Sequence, residues 1–447
     1  MLSERQCPPL SNAFKCLAGH TRVQGSSNWR IKMRFCLVVA SLLLLSCSAH
    51  GFFWPSKDDE QNRMKQAGSP LVFLPGTGAS QLEAKIDRTE VAFPHCPKKV
   101  PWNRVWLDVW QLLAGDMDCW SDNIKLIYDP KTGKSCNTPG VETRVPGWGV
   151  TATVEYLDPS WAARTLGIAR YAAPFVERLV SWGYERGESV VAAPYDWRYA
   201  PHSQEEYFKD LQKLIEDTYT VNYNKRVTLF AHSLGSLFGL YFLNGQSQEW
   251  KDKYIHSFVT TGAPWEGSAI EFQLFASGMN FGIPTVDPSV IRHEQRTQEN
   301  NMLMLPKPGA EWTSRDAFVF TPKRNYTVYD VEDFMKDVDF SVGNDMYKYY
   351  LDPAYALKHP GVPFHCITSK GHPTEAQFVY NKEFDQQKFP KTLYSDGDGT
   401  VNLRSLRGCQ RMHVPGNFSY HEIDGATHMK ILGREELFAL LYPILYK

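Results

Sequence analysis

One stretch of the chain, residues 227–243, restricts the possible folds more than any other. The apolar run 227–230 predicts a buried strand, and a helical pattern starts at Ser236 after a very short turn. That turn, residues 231–235, has alanine two positions before Ser233 and glycine two positions after it. A tight strand–turn–helix connection of this kind raises a serine hydroxyl above a sheet, as in a nucleophile elbow. Ser233 is therefore the candidate nucleophile, and the alternative is a serine in an ordinary turn.

Other short apolar runs alternate with helical patterns along the chain. The predicted strands are 71–74, 189–193, 227–230 and 256–260, and the predicted helices include 175–182 and 204–219. This alternation predicts an α/β fold with a largely parallel sheet. Residues 266–365 interrupt the rhythm with many aromatic, proline and polar residues, so we expect an insertion or cap there.

The charge balance excludes several classes of protein. The chain has 48 Lys and Arg against 49 Asp and Glu, so its formal net charge is −1. A nucleic-acid partner is therefore not expected, because such proteins carry a basic excess. The mean hydropathy of −0.38 argues against a protein with several membrane spans. The sequence indicates no obligate protein partner.

The N-terminal part has the pattern of a secretory signal peptide. Residues 34–49 combine a basic flank, an apolar run too short to cross a bilayer and small residues at the end. We expect translation to start at Met33, residues 1–32 to be an extra extension, 33–49 the signal peptide and 50–69 a polar lead-in. The alternative is a core helix or strand. Asn325 and Asn417 begin sequons, which predicts N-glycosylation in the secretory pathway.

Five cysteines remain after the predicted signal peptide: Cys96, Cys119, Cys136, Cys366 and Cys409. In a secretory compartment they are expected to pair, with one left over. Pairing of chain neighbours suggests Cys96–Cys119 and Cys366–Cys409, with Cys136 free. The sequence alone does not fix this connectivity.

A nucleophilic serine needs a base that is oriented by an acid, and in this fold the chain order is Ser, Asp or Glu, then His. The glycine-rich turn after the predicted strand 391–394 offers Asp398, with Asp396 as the alternative. His428, in a loop before the last helical pattern, is the candidate base. His413 and His421 are its rivals. His232 is expected to be structural.

The oxyanion of an acyl transfer needs backbone N–H donors. Leu234, directly after the candidate nucleophile, and Thr77, in the glycine-rich loop after the first strand, are the predicted donors. The alternative for the loop that carries Thr77 is an ordinary glycine-rich turn without a role in catalysis. The acidic turn at 396–398 lacks the ligand spacing of an EF-hand calcium loop. No metal site and no cofactor are predicted.

Six apolar residues between Cys96 and Cys119 recur at helical spacing. They are Trp102, Val105, Trp106, Val109, Trp110 and Leu113. Tryptophan favours the membrane interface, so a disulfide-closed amphipathic helix here predicts docking on a bilayer. The alternative is a helix that packs into the core.

Taken together, the residues resemble the lecithin:cholesterol acyltransferase and lysosomal phospholipase A2 (group XV) family. The matching stretches lie in order within residues 70–447: 81–87, 118–123, 144–147, 193–198, 231–235, 250–255, 262–265 and 396–401. Residues 398–403 are more similar to the lysosomal branch than to the plasma sterol acyltransferase.

The resemblance implies an α/β-hydrolase core in two parts, 70–265 and 366–447. It also implies a membrane-binding subdomain closed by a disulfide across 96–119, and a cap with a lid at 266–365. The family's triad falls on Ser233, Asp398 and His428, and the same two disulfides are implied.

The resemblance further implies cleavage of an acyl chain from a phospholipid through an acyl-serine. The acyl group then passes to water or to a lipid alcohol such as ceramide. The expected partner is a phospholipid membrane surface, and the expected location is the lysosome or the extracellular space. The alternatives are a secreted phosphatidylcholine-sterol O-acyltransferase and a catalytically inactive lipid-binding or transfer protein.

Two positions depart from the family pattern. The oxyanion loop reads Pro-Gly-Thr-Gly-Ala-Ser at residues 75–80, where the family usually has Pro-Gly-x-Leu-Gly-Asn. The backbone N–H group can still donate a hydrogen bond after this change. A contribution of the side chain at position 77 to an acidic pH optimum is not expected to carry over from the family. The family's Gly-Ala-Pro-Trp-Gly-Gly has Glu266 at its fifth position, which is expected to alter the junction with the cap.

Overall fold

A computed structural model describes residues 68–110, 117–280, 286–309, 311–351, 355–384 and 388–446. The predicted extension, the signal peptide, most of the lead-in and Leu113 lie outside these residues. Among the helices that this part of the chain contains, none has the length and apolar character required to cross a bilayer.

The strands of the described residues, in chain order, are β1 (Leu71–Leu74), β2 (Leu82–Asp87), β3 (Lys99–Trp106), β4 (Leu126–Asp129), β5 (Lys134–Asn137), β6 (Val141–Arg144), β7 (Val190–Ala192), β8 (Val227–His232), β9 (Ile255–Thr261), β10 (Val319–Phe320), β11 (Asn325–Tyr326), β12 (Phe364–Lys370), β13 (His372–Val379), β14 (Lys391–Gly397) and β15 (Phe418–Asp424).

The labelled α-helices are α1 (Met117–Ile124), α2 (Ala152–Glu155), α3 (Trp161–Thr165), α4 (Ala173–Ser181), α5 (Glu205–Val221), α6 (Leu234–Gly245), α7 (Gln248–Tyr254), α8 (Ile270–Ser277), α9 (Pro288–Gln295), α10 (Glu299–Met304), α11 (Val331–Asp337), α12 (Val342–Tyr349), α13 (Leu403–Leu406) and α14 (Glu435–Leu445). Short 3-10 helices occur at Pro201–Ser203, Arg407–Met412 and Lys430–Gly433.

Six parallel strands form the central sheet in the order β15-β12-β9-β8-β1-β7. The inner strands are apolar because helices cover both faces of the sheet. In β1, Leu71 and Phe73 pack with α4 and α14, whereas Val72 and Leu74 pack with α5 and α6. The strands predicted at 71–74, 189–193, 227–230 and 256–260 and the helices predicted at 175–182 and 204–219 are confirmed, and so is the α/β-hydrolase class of the core.

The cap has its own core and its own sheet. Its strands follow the order β11-β10-β13-β14, and its helices α8, α10, α11 and α12 contribute to a cluster that includes Phe272, Phe318 and Phe334. The central sheet resumes with β12 at residue 364, close to the predicted end of the cap, but the cap does not end there, because β13 and β14 pair with this second sheet and not with the central one. The pairing of β13 with β10 is a contact between distant segments, and a local pattern does not reveal it.

Both predicted disulfides form in the structure. The structure pairs Cys96 with Cys119 and Cys366 with Cys409, which confirms both bridges, and Cys136 is an exposed free thiol.

The predicted helix over Trp102, Val105 and Trp106 is wrong, because these residues lie on β3, which pairs with β2. Val105 is buried in the core of this region, and of the five described residues of the predicted face only Val109 and Trp110 are helical. Strand pairing, together with the valines and tryptophans that favour a pleated surface, outweighs the helical spacing here.

Trp106 faces the protein interior. Its indole Nε1 donates a hydrogen bond to the Gly78 carbonyl at 2.6 Å, and its ring packs against Trp120 and Trp197. Trp102 is partly exposed, with the Arg144 guanidinium 4.4 Å above its ring. The five described residues of the predicted face therefore do not share one surface, and the role of the six residues in membrane binding stays a prediction.

Candidate active site

Ser233 occupies a strained turn between β8 and α6. Its backbone has φ 56°, a left-handed conformation that a residue with a side chain rarely adopts. A Cβ on Gly235 would lie 2.5 Å from the carbonyl oxygens of Leu74 and Pro75. A Cβ on Gly76 would lie 2.9 Å from the Cβ atom of Ser233. The turn packs so closely against the end of β1 that larger residues do not fit.

The structure brings the three predicted triad residues together. Ser233 Oγ lies 2.9 Å from His428 Nε2, and His428 Nδ1 lies 2.7 Å from Asp398 Oδ2. All three side chains are buried. A Cβ added at Gly262 would lie 3.2 Å from the His428 ring, so a glycine there lets the backbone approach the imidazole. This geometry suits proton transfer from the serine hydroxyl to the imidazole.

Asp398, and not Asp396, is the acid that reaches the imidazole. Its other oxygen, Oδ1, accepts hydrogen bonds from the backbone N–H groups of Thr400 at 2.9 Å and Val401 at 2.7 Å. Its own carbonyl accepts a hydrogen bond from the His428 N–H at 2.8 Å. Asp396 is exposed and accepts from the Gly371 N–H. The Asp398 carboxylate is thus fixed from both sides.

A buried hydrogen-bonded chain links the oxyanion loop to the backbone of His428. The Gly76 N–H donates to the Tyr171 hydroxyl at 3.1 Å, and this hydroxyl lies 2.9 Å from His232 Nδ1. His232 Nε2 donates to the His428 carbonyl at 2.9 Å, since a carbonyl can only accept. His232 is therefore a structural residue, as predicted, and it holds the segment that carries His428.

Burial, together with the neighbouring His428, lowers the pKa of His232 from 6.5 to about 3. Below about pH 6.5 the unfolded chain therefore binds a proton that the folded protein does not. The stability contributed by neutral His232 is complete above pH 6.5 and is lost as the pH falls toward 3.

We expect the free energy of unfolding to fall by about 2–3 kcal/mol between pH 7 and pH 4.5 through His232 alone. Urea unfolding at both pH values measures this change. His232→Gln retains an amide donor but does not titrate, so its pH dependence is expected to be weaker by that amount. Equal pH dependence in both proteins would contradict this assignment.

Thr77, one of the two predicted oxyanion donors, is held by the cap. Its Oγ1 accepts a hydrogen bond of 2.6 Å from Asn300 Nδ2 on α10. Asn300 is fully buried, whereas Thr77 is exposed beside Ser233. Leu234, the other predicted donor, begins α6, where the first N–H groups have no partner within the helix. The position of Thr77 thus depends on the position of α10.

Asn300→Ala is expected to lower kcat by about tenfold, with little change in KM, because the loop that carries Thr77 loses its anchor. Asn301→Ala is the matched control, since Asn301 is equally buried but bonds to Gln295 and Gln298. Steady-state kinetics with a soluble ester measures both variants. An unchanged kcat for Asn300→Ala, or an equal loss in both variants, would contradict the anchoring role.

Glu266 joins the start of the cap to the second part of the core. Its carboxylate forms an ion pair with Arg411, and its carbonyl accepts a hydrogen bond from Trp312 Nε1 at 2.7 Å. Burial raises the pKa of Glu266, and the charge of Arg411 opposes this effect. The departure from the family's glycine at this position therefore supplies a contact between two segments.

Sequence reasoning missed Tyr171, Asn300 and Gly262. Tyr171 and Asn300 have no distinctive local motif, and their roles arise from contacts with residues far along the chain. Gly262 differs from these two residues, because it lies in the stretch 262–265 that carries the family resemblance. The resemblance could therefore have drawn attention to Gly262.

Comparison with known proteins identifies the family of this chain. The family model described as lecithin:cholesterol acyltransferase matches residues 102–352 and 345–435. The lysosomal phospholipase A and acyltransferase of Mus musculus is 41% identical over 384 residues, which cover 85% of this chain and 91% of that protein.

The Homo sapiens protein of the same name is 40% identical over 380 residues, covering 84% of this chain and 90% of that protein. The phosphatidylcholine-sterol acyltransferase of Mus musculus is 41% identical over 341 residues, covering 76% of each chain. The resemblance inferred from the sequence is thereby confirmed, and the chain belongs to the lecithin:cholesterol acyltransferase family.

Proposed function

We propose that this protein is a serine phospholipase A and transacylase. It removes an acyl chain from a glycerophospholipid and passes it to water or to a lipid alcohol such as ceramide. The observation that carries the proposal is the hydrogen-bonded series from Ser233 through His428 to Asp398 at the end of a strained turn. The names of the relatives support the choice of substrate.

In the first half of the reaction, Ser233 Oγ attacks the ester carbonyl while His428 Nε2 takes the hydroxyl proton. The N–H groups of Thr77 and Leu234 hold the oxyanion. The bond between the carbonyl carbon and the glycerol oxygen breaks, and His428 returns the proton to that oxygen. The products are a lysophospholipid and an acyl-serine.

In the second half, an acceptor hydroxyl attacks the acyl-serine. His428 removes the acceptor's proton and then gives it back to Ser233 Oγ, so that the free serine is regenerated. With water the product is a fatty acid, and with a lipid alcohol it is a new ester. Asp398 stabilises the imidazolium in both halves.

The alternatives to this function are a sterol O-acyltransferase and a catalytically inactive lipid-binding protein. A sterol O-acyltransferase uses the same chemistry with another acceptor, and a relative of that name is 41% identical, but over 76% of this chain, compared with 85% for the phospholipase of Mus musculus. A catalytically inactive lipid-binding protein would need no assembled triad, and the close contacts of Ser233, His428 and Asp398 argue against it.

The test is to incubate the secreted protein with phospholipid vesicles that contain both ceramide and a sterol, over a range of pH. Mass spectrometry then identifies the acylated products. Fatty acid together with acylceramide supports the proposal, whereas a steryl ester as the main product supports the sterol acyltransferase. The absence of any acyl product would reject both.

The proposed location is the lysosome or the extracellular space, with the protein peripheral to membranes. Asn325 and Asn417 are exposed and thus accessible to glycosylation. Digestion with an N-glycosidase should reduce the apparent mass of the mature protein, and N-terminal sequencing should place the cleavage near residue 49.

A further inference from the structure

Residues 156–170 form a protrusion that leads from α2 to α4 and is closed at its base. There, the Leu157 N–H donates to the Ala169 carbonyl at 2.9 Å. Within the protrusion, the Ser160 hydroxyl caps α3 by accepting a hydrogen bond from the Ala163 N–H. These bonds hold the backbone of the protrusion in a defined arrangement.

The outer surface of the protrusion is apolar. Trp161 is 81% exposed and Leu166 is 70% exposed, and Ile168 is also exposed. Single exposed apolar residues are common on protein surfaces, but several large ones on one short segment mark an interaction site.

Trp110 belongs to the same surface because Asp158 ties its segment to the protrusion. Asp158 Oδ2 accepts a hydrogen bond of 3.0 Å from the Val109 N–H, and Oδ1 pairs with Arg104 at 3.1 Å. Burial alone would raise the pKa of Asp158, but these contacts and the Ser160 N–H outweigh it and lower the pKa. A charged, buried carboxylate thus holds the backbone at Val109 beside the protrusion, and the next residue, Trp110, is 63% exposed.

The charge of the protrusion is suited to an anionic surface. Its exposed ionisable side chains are Arg164 and Arg170, since Asp158 is buried. The Arg164 guanidinium lies 4.8 Å from the centre of the Tyr156 ring, and Arg170 pairs with Glu177 on α4. Arginines beside exposed tryptophans match the headgroup region of a bilayer, where aromatic rings lie at the interface and cations meet phosphates.

This surface adjoins the candidate active site. The Gln81 side chain donates to the Tyr156 carbonyl at 2.9 Å, and Trp106 on β3 donates to the Gly78 carbonyl. Gln81 and Gly78 both lie in the segment after β1 that carries Thr77. A membrane bound at the protrusion would therefore lie next to the loop that is expected to hold the oxyanion.

We propose that Trp110, Trp161, Leu166 and Ile168 form the docking face for a phospholipid bilayer, with Arg164 at the level of the headgroups. The inference rests on the proposed function for the identity of the partner. It differs from the sequence prediction because most of the face lies outside the disulfide-closed segment, on residues 156–170.

The experiment uses the full secreted protein and vesicles of phosphatidylcholine with or without phosphatidylglycerol. We expect the double variant Trp161→Ser/Leu166→Ser to bind both kinds of vesicle at least about tenfold more weakly and to hydrolyse their lipids correspondingly more slowly. Its kcat for a short-chain soluble ester should be unchanged. Arg164→Gln should reduce only the preference for anionic vesicles, by about fivefold.

Phe389→Ser is the matched control, because Phe389 is 63% exposed but lies on the cap segment before β14. It should bind vesicles as the wild type does. Wild-type binding by the double variant, or an equal loss in Phe389→Ser, would overturn the proposal. A change in oligomeric state without a change in vesicle binding would instead assign the face to a second copy of the chain. Failure of the proposed function is separate, because it would appear as wild-type protein that binds vesicles without releasing acyl products.

Discussion

Replacing Ser233 with alanine is expected to lower kcat for ester hydrolysis by about 10⁵–10⁶-fold without unfolding the protein. The hydroxyl is the only group of this residue that faces His428, at 2.9 Å, and alanine removes the nucleophile while leaving the turn in place. A chromogenic soluble ester measures the loss independently of membrane binding, and thermal unfolding checks the fold.

Ser236→Ala is the matched control for this prediction. Ser236 lies one turn further along α6, is fully buried, and its hydroxyl has no hydrogen-bond partner. Removing it should leave kcat within about twofold and should not destabilise the protein, because no bond is lost. Activity of Ser233→Ala above about 1% of wild type would reject the acyl-serine mechanism.

The same series predicts the effect of changing the acid. Asp398→Asn is expected to lower kcat by about 10⁴-fold, since an amide at this position favours the wrong tautomer of His428. Combining it with Ser233→Ala should cost little more than Ser233→Ala alone, because the residues act as one unit. Additive losses would mean that Asp398 acts independently of the serine.

The second large effect is expected on stability. Arg198→Met should lower the free energy of unfolding by about 3–5 kcal/mol. Arg198 is fully buried, and its guanidinium bonds to Asp196, the Ile124 carbonyl, Asn137 and Thr143. Methionine fills similar space but leaves the Asp196 carboxylate without its cation.

Urea unfolding measures this loss, and Arg434→Met is its control. Arg434 also pairs with a carboxylate, that of Glu436 at 2.6 Å, but both side chains are substantially exposed. Removing such a pair is expected to cost less than about 1 kcal/mol. A similar loss in the two variants would show that the burial of Arg198 contributes nothing beyond an ordinary surface pair.

The parts of the fold that the sequence predicts correctly depend on local chemistry. The strand at Leu71–Leu74 is recognisable because it is buried on both faces and hence apolar throughout. Ser233 is recognisable because its turn tolerates only small neighbours. The acid and the base follow from the chain order that this fold imposes.

The errors occur where pairing between distant segments decides the structure. The spacing of Trp102, Val105 and Trp106 suits a helix, but β2 offers these residues a strand partner. β13 and β14 pair with the cap sheet, although they follow β12 of the central sheet directly. The contact of Asn300 with Thr77 spans 223 positions and has no local signal.

The position of Asp398 at the end of a cap strand matters for the design of chimeric proteins. Asp398 directly follows β14, a strand of the cap sheet, whereas Ser233 and His428 follow strands of the central sheet. An exchange of the whole cap with a relative would therefore replace the strand that positions the acid. A graft that leaves the chemistry untouched must keep residues 372–401 and the α10 segment that carries Asn300, and can exchange only the other cap segments before β12.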